Sequence, residues 1–328
     1  MDALSDVLQL IRLTGGVFLN AEFTHPWLVR TRHSRKIADV LMPEAEHMVE
    51  YHLIVEGNCY AKLEDGEPVL LETGDVVMFP HGEAHLLGSD LSTPAVPTEE
   101  LLGSGVDDFA ELRYGGGGQL TRLVCGFLAC DRTLCSPLLA TMPRLLKVSS
   151  RGSEAGAWLE TYMRFSVAER IEQRAGGACI LAKLSELMFV EAIRRHIESL
   201  PADRTGWLAG LRDTFISRAL ALLHGKPARP WTVEDLGKQV GLSRSALAER
   251  FTYYIGQPPM QYLTQWRLSL AAHQLRTTGR PIAAIAEEVG YDSEAAFNRA
   301  FKREFGAPPA TWRKSVNVPA ASLDSLGA

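Results

Sequence analysis

Apolar and polar positions alternate, or run in short blocks, through residues 20–90. EYHLIVEG, YAKLED, PVLLE and DVVMFP are separated by Gly, Asp and Pro, which predicts short strands joined by turns and hence a β-barrel or sandwich. The pattern returns in TRLVCGFLACD. Between the two, residues 91–118 lose the alternation and end in four glycines, which predicts a long loop. The period then changes. Trp158, Tyr162 and Phe165 form one stripe and Ile180, Leu184, Leu187 and Met188 another, predicting helices over 154–175 and 178–199 split by Gly176-Gly177. Leu208–His224 reads as one helix, and Met260–Thr277 as a long one with Leu263, Trp266, Leu270 and Leu275 apolar.

Two stretches repeat a single pattern: VEDLGKQVGLSRSALAERF and IAAIAEEVGYDSEAAFNRAF. In each, an apolar-periodic helix (Val233, Leu236, Val240; Ile282, Ile285, Val289) runs into Gly241 or Gly290, a short polar cap and a second helix. Glycine accepts positive φ, so the pattern predicts a helix-turn-helix written twice. Thr232 with Asp235 forms a capping box, Pro281 suits the first turn of the matching helix, Ser243 caps the first reader, and Asp292 or Ser293 caps the second. Leu247/Phe251 and Phe297/Phe301 lie four apart and face a core. The opposite stripes then face solvent or DNA: Arg244, Ser245, Ala248, Glu249 and Thr252 in the first reader, Glu294, Ala295, Asn298, Arg299 and Lys302 in the second. Arg suits guanine, Asn adenine, and a carboxylate accepts from cytosine N4.

Charge sharpens this reading. Residues 204–314 hold 16 Lys/Arg against 9 Asp/Glu, a local +7, while the rest of the chain carries −12, so the overall −5 does not count against a polyanionic partner. An apolar fraction of 46% over 328 residues is ample for two or three buried cores. The opening MDALSDVLQLIRL carries Asp2 and Asp6 and no small-residue cleavage site, and no apolar run reaches membrane-spanning length, so the expectation is a cytoplasmic chain without a membrane partner. Five cysteines, an odd number, suit reduced thiols.

From about Leu208 to Lys314, including RLSLAAHQL and GYDSEAAFNRAFKREFGAPPATWR, the chain resembles the DNA-binding domain of the AraC/XylS family of bacterial transcription regulators. The resemblance implies two helix-turn-helix units reading an asymmetric site in duplex promoter DNA, and RNA polymerase is expected as a further partner. The two apolar-striped helices within 154–199 predict a homodimer, the alternative being that they pack back onto the barrel. Glu249 and Ala248 stand where longer donors could sit, so base preferences do not carry over.

GDVVMFPHGEAH, Gly74 to His85, resembles the second motif of cupin barrels, and Glu50 with Gly57 keeps the end of the first. The His-x-His expected before it reads Glu44-Ala45-Glu46, with His47 displaced by one. Glu50, His52 and His85 are the candidates for binding a small effector, or a divalent metal such as Zn, Fe or Mn, since 50 and 52 share a strand face. Cys125, Cys130 and Cys135 recur at intervals of five, either as small core residues or as redox-sensing thiols, while Cys59 and Cys179 read as core. The expected architecture is α+β multidomain: a cupin-like β-barrel sensor over 1–150, a helical linker and dimerisation pair over 151–203, an all-α double helix-turn-helix over 204–316, and a tail over 317–328. The function expected is a DNA-binding regulator responding to a small molecule or redox signal, with no catalytic residues. The alternatives are a metal-dependent cupin enzyme carrying a DNA-binding domain, and an architectural DNA binder with an inert barrel.

Overall fold

The structure, a computed structural model, describes residues 2–11, 13–34, 45–102, 110–149 and 175–316. These pack as two compact units: the segments within 12–132 and 138–200, and the segments within 1–11, 133–137 and 201 onward. The linear division expected from sequence makes no such grouping of the first eleven residues with the last hundred.

The first unit is a pair of facing sheets. β1 (Thr14–Thr24), β3 (His47–Glu56), β6 (Asp75–Phe79), β9 (Ala110–Gly115), β10 (Leu120–Cys130) and β11 (Leu146–Ser149) form one, in the order β11-β6-β3-β10-β1-β9. β2 (Leu28–Thr31), β4 (Asn58–Leu63), β5 (Val69–Glu72), β7 (His85–Gly88) and β8 (Val96–Pro97) form the other, in the order β5-β4-β7-β2-β8. Leu19, Phe23 and Ile54 of the first sheet share one core with Val29, Cys59 and Leu87 of the second. Successive strand side chains point to opposite faces, so Met48, Glu50, His52 and Ile54 of β3 share the inward face. The other face of β3 is buried as well, because α4 (Gly177–Ser199) lies across it, with Tyr51 Oη 2.6 Å from Ser185 Oγ. The close approach is made at Gly15, where a Cβ would stand 2.7 Å from the Ala182 carbonyl.

The expected loop over 91–118 is overturned where it is described. Val96–Pro97 pairs with β2, Thr98–Leu102 forms a short helix, α2, with Glu99 and Glu100 in its first turn, and β9 pairs in parallel with β1. Acidic side chains at a helix N-terminus are favourable. Leu146–Ser149 is preceded by α3 (Arg132–Leu139). The expected helix over 154–175, with Trp158, Tyr162 and Phe165, lies outside the described residues, as does Glu44. On α4 the expected stripe divides: Met188 is buried, while Ile180 and Leu187 are exposed. Cys179 is exposed rather than core, since it sits in the first turn of α4 on the outer side.

The second unit is helical: α1 (Ala3–Ile11), α5 (Trp207–Gly210), α6 (Thr214–Gly225), α7 (Val233–Val240), α8 (Arg244–Ile255), α9 (Pro259–Thr277), α10 (Ile282–Glu288), α11 (Glu294–Phe305) and α12 (Pro309–Val316). The single helix expected over Leu208–His224 is broken, because the Asp213 side chain accepts from Phe215 N and Ile216 N and so starts α6 afresh. α1 packs against α6 through a stripe of Ala3, Val7 and Ile11, all fully buried. Around α6 the interior is polar as well as aromatic: Tyr262 Oη lies 2.9 Å from Trp207 Nε1 and 2.7 Å from His224 Nε2, and His224 stacks on Trp266. Around α10 and α11 it is apolar: Leu268, Leu275, Ile285, Val289, Phe297 and Phe301 form one cluster, with Phe305 and Trp312 against it. Among the described residues no helix is long and apolar enough to cross a membrane.

Candidate functional site

The two halves of the helical unit present α8 and α11 in the same way. Thr232 Oγ1 accepts from Asp235 N at 3.0 Å, and both turns pass through glycine in the left-handed region, Gly241 at φ 86° and Gly290 at φ 89°. Pro281 stands at the N-cap itself, one place before the first turn expected for it. Ser243 accepts from Ala246 N and Ser293, rather than Asp292, from Ala296 N, each at 3.2 Å. Leu247, Phe251, Phe297 and Phe301 are fully buried. Their burial turns the remaining stripe of each helix outward. Arg244, Ser245, Glu249 and Thr252 on α8, and Glu294, Arg299 and Lys302 on α11, are exposed; Asn298 is half-buried. Arg250 is tied elsewhere, Nε donating to Asp213 Oδ2 at 2.8 Å. Two exposed residues join the stripes unforeseen: Tyr253, four places after Glu249, and Arg303, four after Arg299. The signal for Tyr253 was its spacing, since positions four apart share a helix face.

The second site is buried between the sheets. Glu50, His52 and His85 are respectively 0%, 3% and 0% exposed, and each offers a ligand atom within 4.8 Å of the others. His52 faces two partners: its Nε2 lies 2.9 Å from His85 Nε2 and its Nδ1 2.8 Å from Cys125 Sγ. His85 Nδ1 lies 2.9 Å from the Glu83 carbonyl, and its ring stacks on Phe79 at 3.6 Å. A carbonyl only accepts, so His85 carries its proton on Nδ1 and presents a lone pair at Nε2. Both imidazoles are held neutral: burial drives His85 down to about 4, and burial with the neighbouring His85 drives His52 well below its ordinary value. His52 therefore donates from Nε2 and accepts the Cys125 thiol proton at Nδ1, which gives the order Cys125, His52, His85, Glu83 carbonyl. Glu50 is outside this chain. Both its oxygens are buried without a hydrogen-bond partner, and burial raises its carboxyl to about 8.

Of the three thiols singled out in sequence, Cys125 joins this cluster, and burial, then Glu50 and Cys59, pushes it well above its ordinary value. Low thiolate content disfavours oxidation chemistry there. Cys130 is five residues on and so faces the other side of β10, and Cys135 sits on α3 among residues grouped with the helical unit. All five cysteines are free. Glu46 and His47 do not reach the cluster: Glu46 accepts from Arg132 N, and His47 Nε2 lies 2.7 Å from the Pro80 carbonyl.

Residues 2–198 match the family described as Cupin, and residues 236–315 that described as Helix-turn-helix domain. Over 97% of its length the chain is 33% identical to an AraC-like transcription regulator of Streptomyces lividans, covering 100% of that protein. It is 33% identical to another from Streptomyces antibioticus, over 96% of this chain and 99% of that one. It is 31% identical to the HTH-type transcriptional regulator AlkR of Acinetobacter baylyi, again over 96% and 99%.

Proposed function

The chain belongs to the AraC-like transcription regulators, a cupin domain followed by a helix-turn-helix domain, and from that premise we propose which residues read DNA and which receive the signal. α8 and α11 enter successive major grooves of promoter DNA, which lie about 34 Å apart on one face. Arg244, Ser245, Glu249, Thr252 and Tyr253 read the first, and Glu294, Asn298, Arg299, Lys302 and Arg303 the second. The observation that carries this is the pair of capped helices whose aromatic faces are buried and whose polar stripes are exposed. Fluorescence anisotropy on duplexes selected from a random pool tests it. Arg299→Ala should weaken the selected site more than a scrambled duplex, and equal weakening would reduce Arg299 to a phosphate contact.

The signal is received at Glu50, His52 and His85, with Cys125 behind His52. A buried carboxyl without a partner is costly, so the effector that suits it is a small molecule bearing a hydrogen-bond donor or positive charge. The same donor set fits a divalent metal: Glu50 oxygen with the Nε2 atoms of His52 and His85, once the His52 proton moves to Nδ1. A bound ion would supply the charge that Glu50 lacks and tie the sheets together. Glu50→Gln and His85→Ala should abolish the response in a promoter-reporter assay while DNA binding by the purified protein persists; full retention of the response in both would remove the site. The reading places the protein in the cytoplasm, gives it no catalytic role, and pairs two copies through Ile180 and Leu187 of α4, with RNA polymerase as the further partner. Sedimentation of the full chain as a monomer at tens of micromolar would exclude the pairing.

A further inference from the structure

The two turn glycines look interchangeable in the sequence, yet their surroundings differ. A Cβ on Gly241 would meet nothing within 4 Å, whereas one on Gly290 would stand 2.7 Å from Ala228 Cα and 2.8 Å from the Ala228 carbonyl oxygen. The backbone of the second helix-turn-helix turn therefore lies directly against the segment that leads from α6 into the first helix-turn-helix. Arg267, at the middle of α9, binds both. Its Nε donates to the Pro227 carbonyl at 2.7 Å and its NH2 to the Arg229 carbonyl at 2.8 Å, while its NH1 donates to the Gly290 carbonyl at 3.2 Å. The guanidinium is half-buried and meets main-chain oxygens on both sides. A planar fork with five donors can span two separate stretches of backbone; the point charge of a lysine cannot.

We propose that Arg267 is a positioning residue that fixes the separation and relative rotation of the two DNA readers, acting as a strut between residues 227–229 and the Gly290 turn. A single helix can couple two helix-turn-helix units and still let them rock about its ends. The strut adds a second attachment away from the helix axis, so α8 and α11 move as one body. Its consequence is a strict spacing between the two half-sites: one inserted base pair turns the second groove by roughly a tenth of a helical turn. Gly290 serves twice, for its left-handed φ and for the missing side chain that lets Ala228 approach; Gly241 serves only the first purpose.

This inference rests on the double-reader assignment above, and its test separates the two. The full-length protein selects sites from a random duplex pool; the selected site is then remade with one base pair inserted between its halves. For the wild type the insertion should weaken binding about tenfold, the equivalent of losing one base contact. In Arg267→Met, which keeps the stem but removes the donors, the penalty should shrink to about twofold, with single half-site affinity close to wild type and a lowered thermal midpoint, since three carbonyls lose their donor. Gly290→Asn should also relax the spacing, while Gly241→Asn, at a position where Asn can adopt the left-handed conformation, should not. If Arg267→Met does not fold, this glycine pair decides the matter. A wild-type spacing penalty in Arg267→Met, or in Gly290→Asn, overturns the strut and leaves the double reader standing. A wild-type protein that selects only single half-sites overturns both.

Discussion

The two helix-turn-helix halves share a frame down to their serine caps and left-handed glycines, but they are held together by different interiors. The first is built around His224, Tyr262 and Trp207, a polar cluster whose burial disfavours a charged imidazole. The second is built from Phe297, Phe301, Phe305 and Trp312, whose ring contacts are indifferent to protons. Outside they differ as well: α8 exposes Arg244, Glu249 and Tyr253, and α11 exposes Glu294, Arg299, Lys302 and Arg303. A repeated backbone thus fixes where readers stand without fixing what holds them or what they read.

The largest test of that contrast is acid. Burial drives His224 down to about 3, with the Ala3 backbone opposing. A base with a depressed folded value contributes its full stability above its unfolded value of about 6.5, and that contribution is lost as pH falls towards 3. The loss should be on the order of 5 kcal/mol once pH is below 3, of which about 3 kcal/mol is already gone at pH 4.5. Native-state hydrogen exchange at pH 7 and pH 4.5 should show protection falling in α6 while α11 holds; equal falls in both would erase the difference between the interiors.

Next in size are the base contacts. Arg299→Ala should cost about 1–3 kcal/mol at one base position, and Arg244→Ala less, because α8 also exposes the carboxylate Glu249, which DNA phosphate repels, whereas Arg299 is accompanied by Lys302 and Arg303. Competition titrations against single-base variants of the selected site would show it, and a larger loss for Arg244→Ala would invert the assignment of the dominant reader.

The caps should not differ. Ser243→Ala and Ser293→Ala each remove one hydrogen bond to the third backbone N–H of a reader helix and should cost about 1 kcal/mol in urea denaturation. A disparity of more than about twofold would mean that the two frames are not equivalent.

The smallest effect concerns salt. Lys302→Ala should lower the slope of log affinity against log salt by about 1, one released counterion, whereas Glu249→Ala should leave the slope unchanged. A reduced slope for Glu249→Ala would show that the first reader also works mainly through charge.

The helices α8 and α11 were legible because everything that defines them is local: the four-residue spacing of Leu247/Phe251 and Phe297/Phe301, a serine before each helix, a glycine after its partner. So was the meeting of Glu50, His52 and His85, through strand alternation and the cupin resemblance. What stayed hidden was non-local. β9 is a strand because it lies beside β1, some 90 residues earlier; its own alternation, AELRY, spans only five residues and runs straight into four glycines, so the segment reads as loop. The break at Asp213 depends on a side chain turning back to its own backbone, a choice reinforced by Arg250 from α8. Arg267 reads in sequence as one more charge on a helix; its three carbonyl partners come from segments about 40 residues before it and about 20 after. Cys125 looked like one of three evenly spaced thiols, and only the pairing of β10 with β3 sets it beside His52 while turning Cys130 away.

The packing of α1 on α6 has a consequence for synthesis. Residues 3–11 leave the ribosome about two hundred residues before the surface that buries Ala3, Val7 and Ile11, which is not made until residue 225 has followed. During that interval the apolar stripe of α1 has no native partner, and closing a loop of some two hundred residues is an entropic step that no local contact can hasten. The sheets between can condense as they emerge; the helical unit cannot be completed until residues 214–225 have been made. The helical unit therefore closes only when segments made before and after the sheets are both present, so a chain lacking residues 3–11 leaves the face of α6 that packs on α1 uncovered.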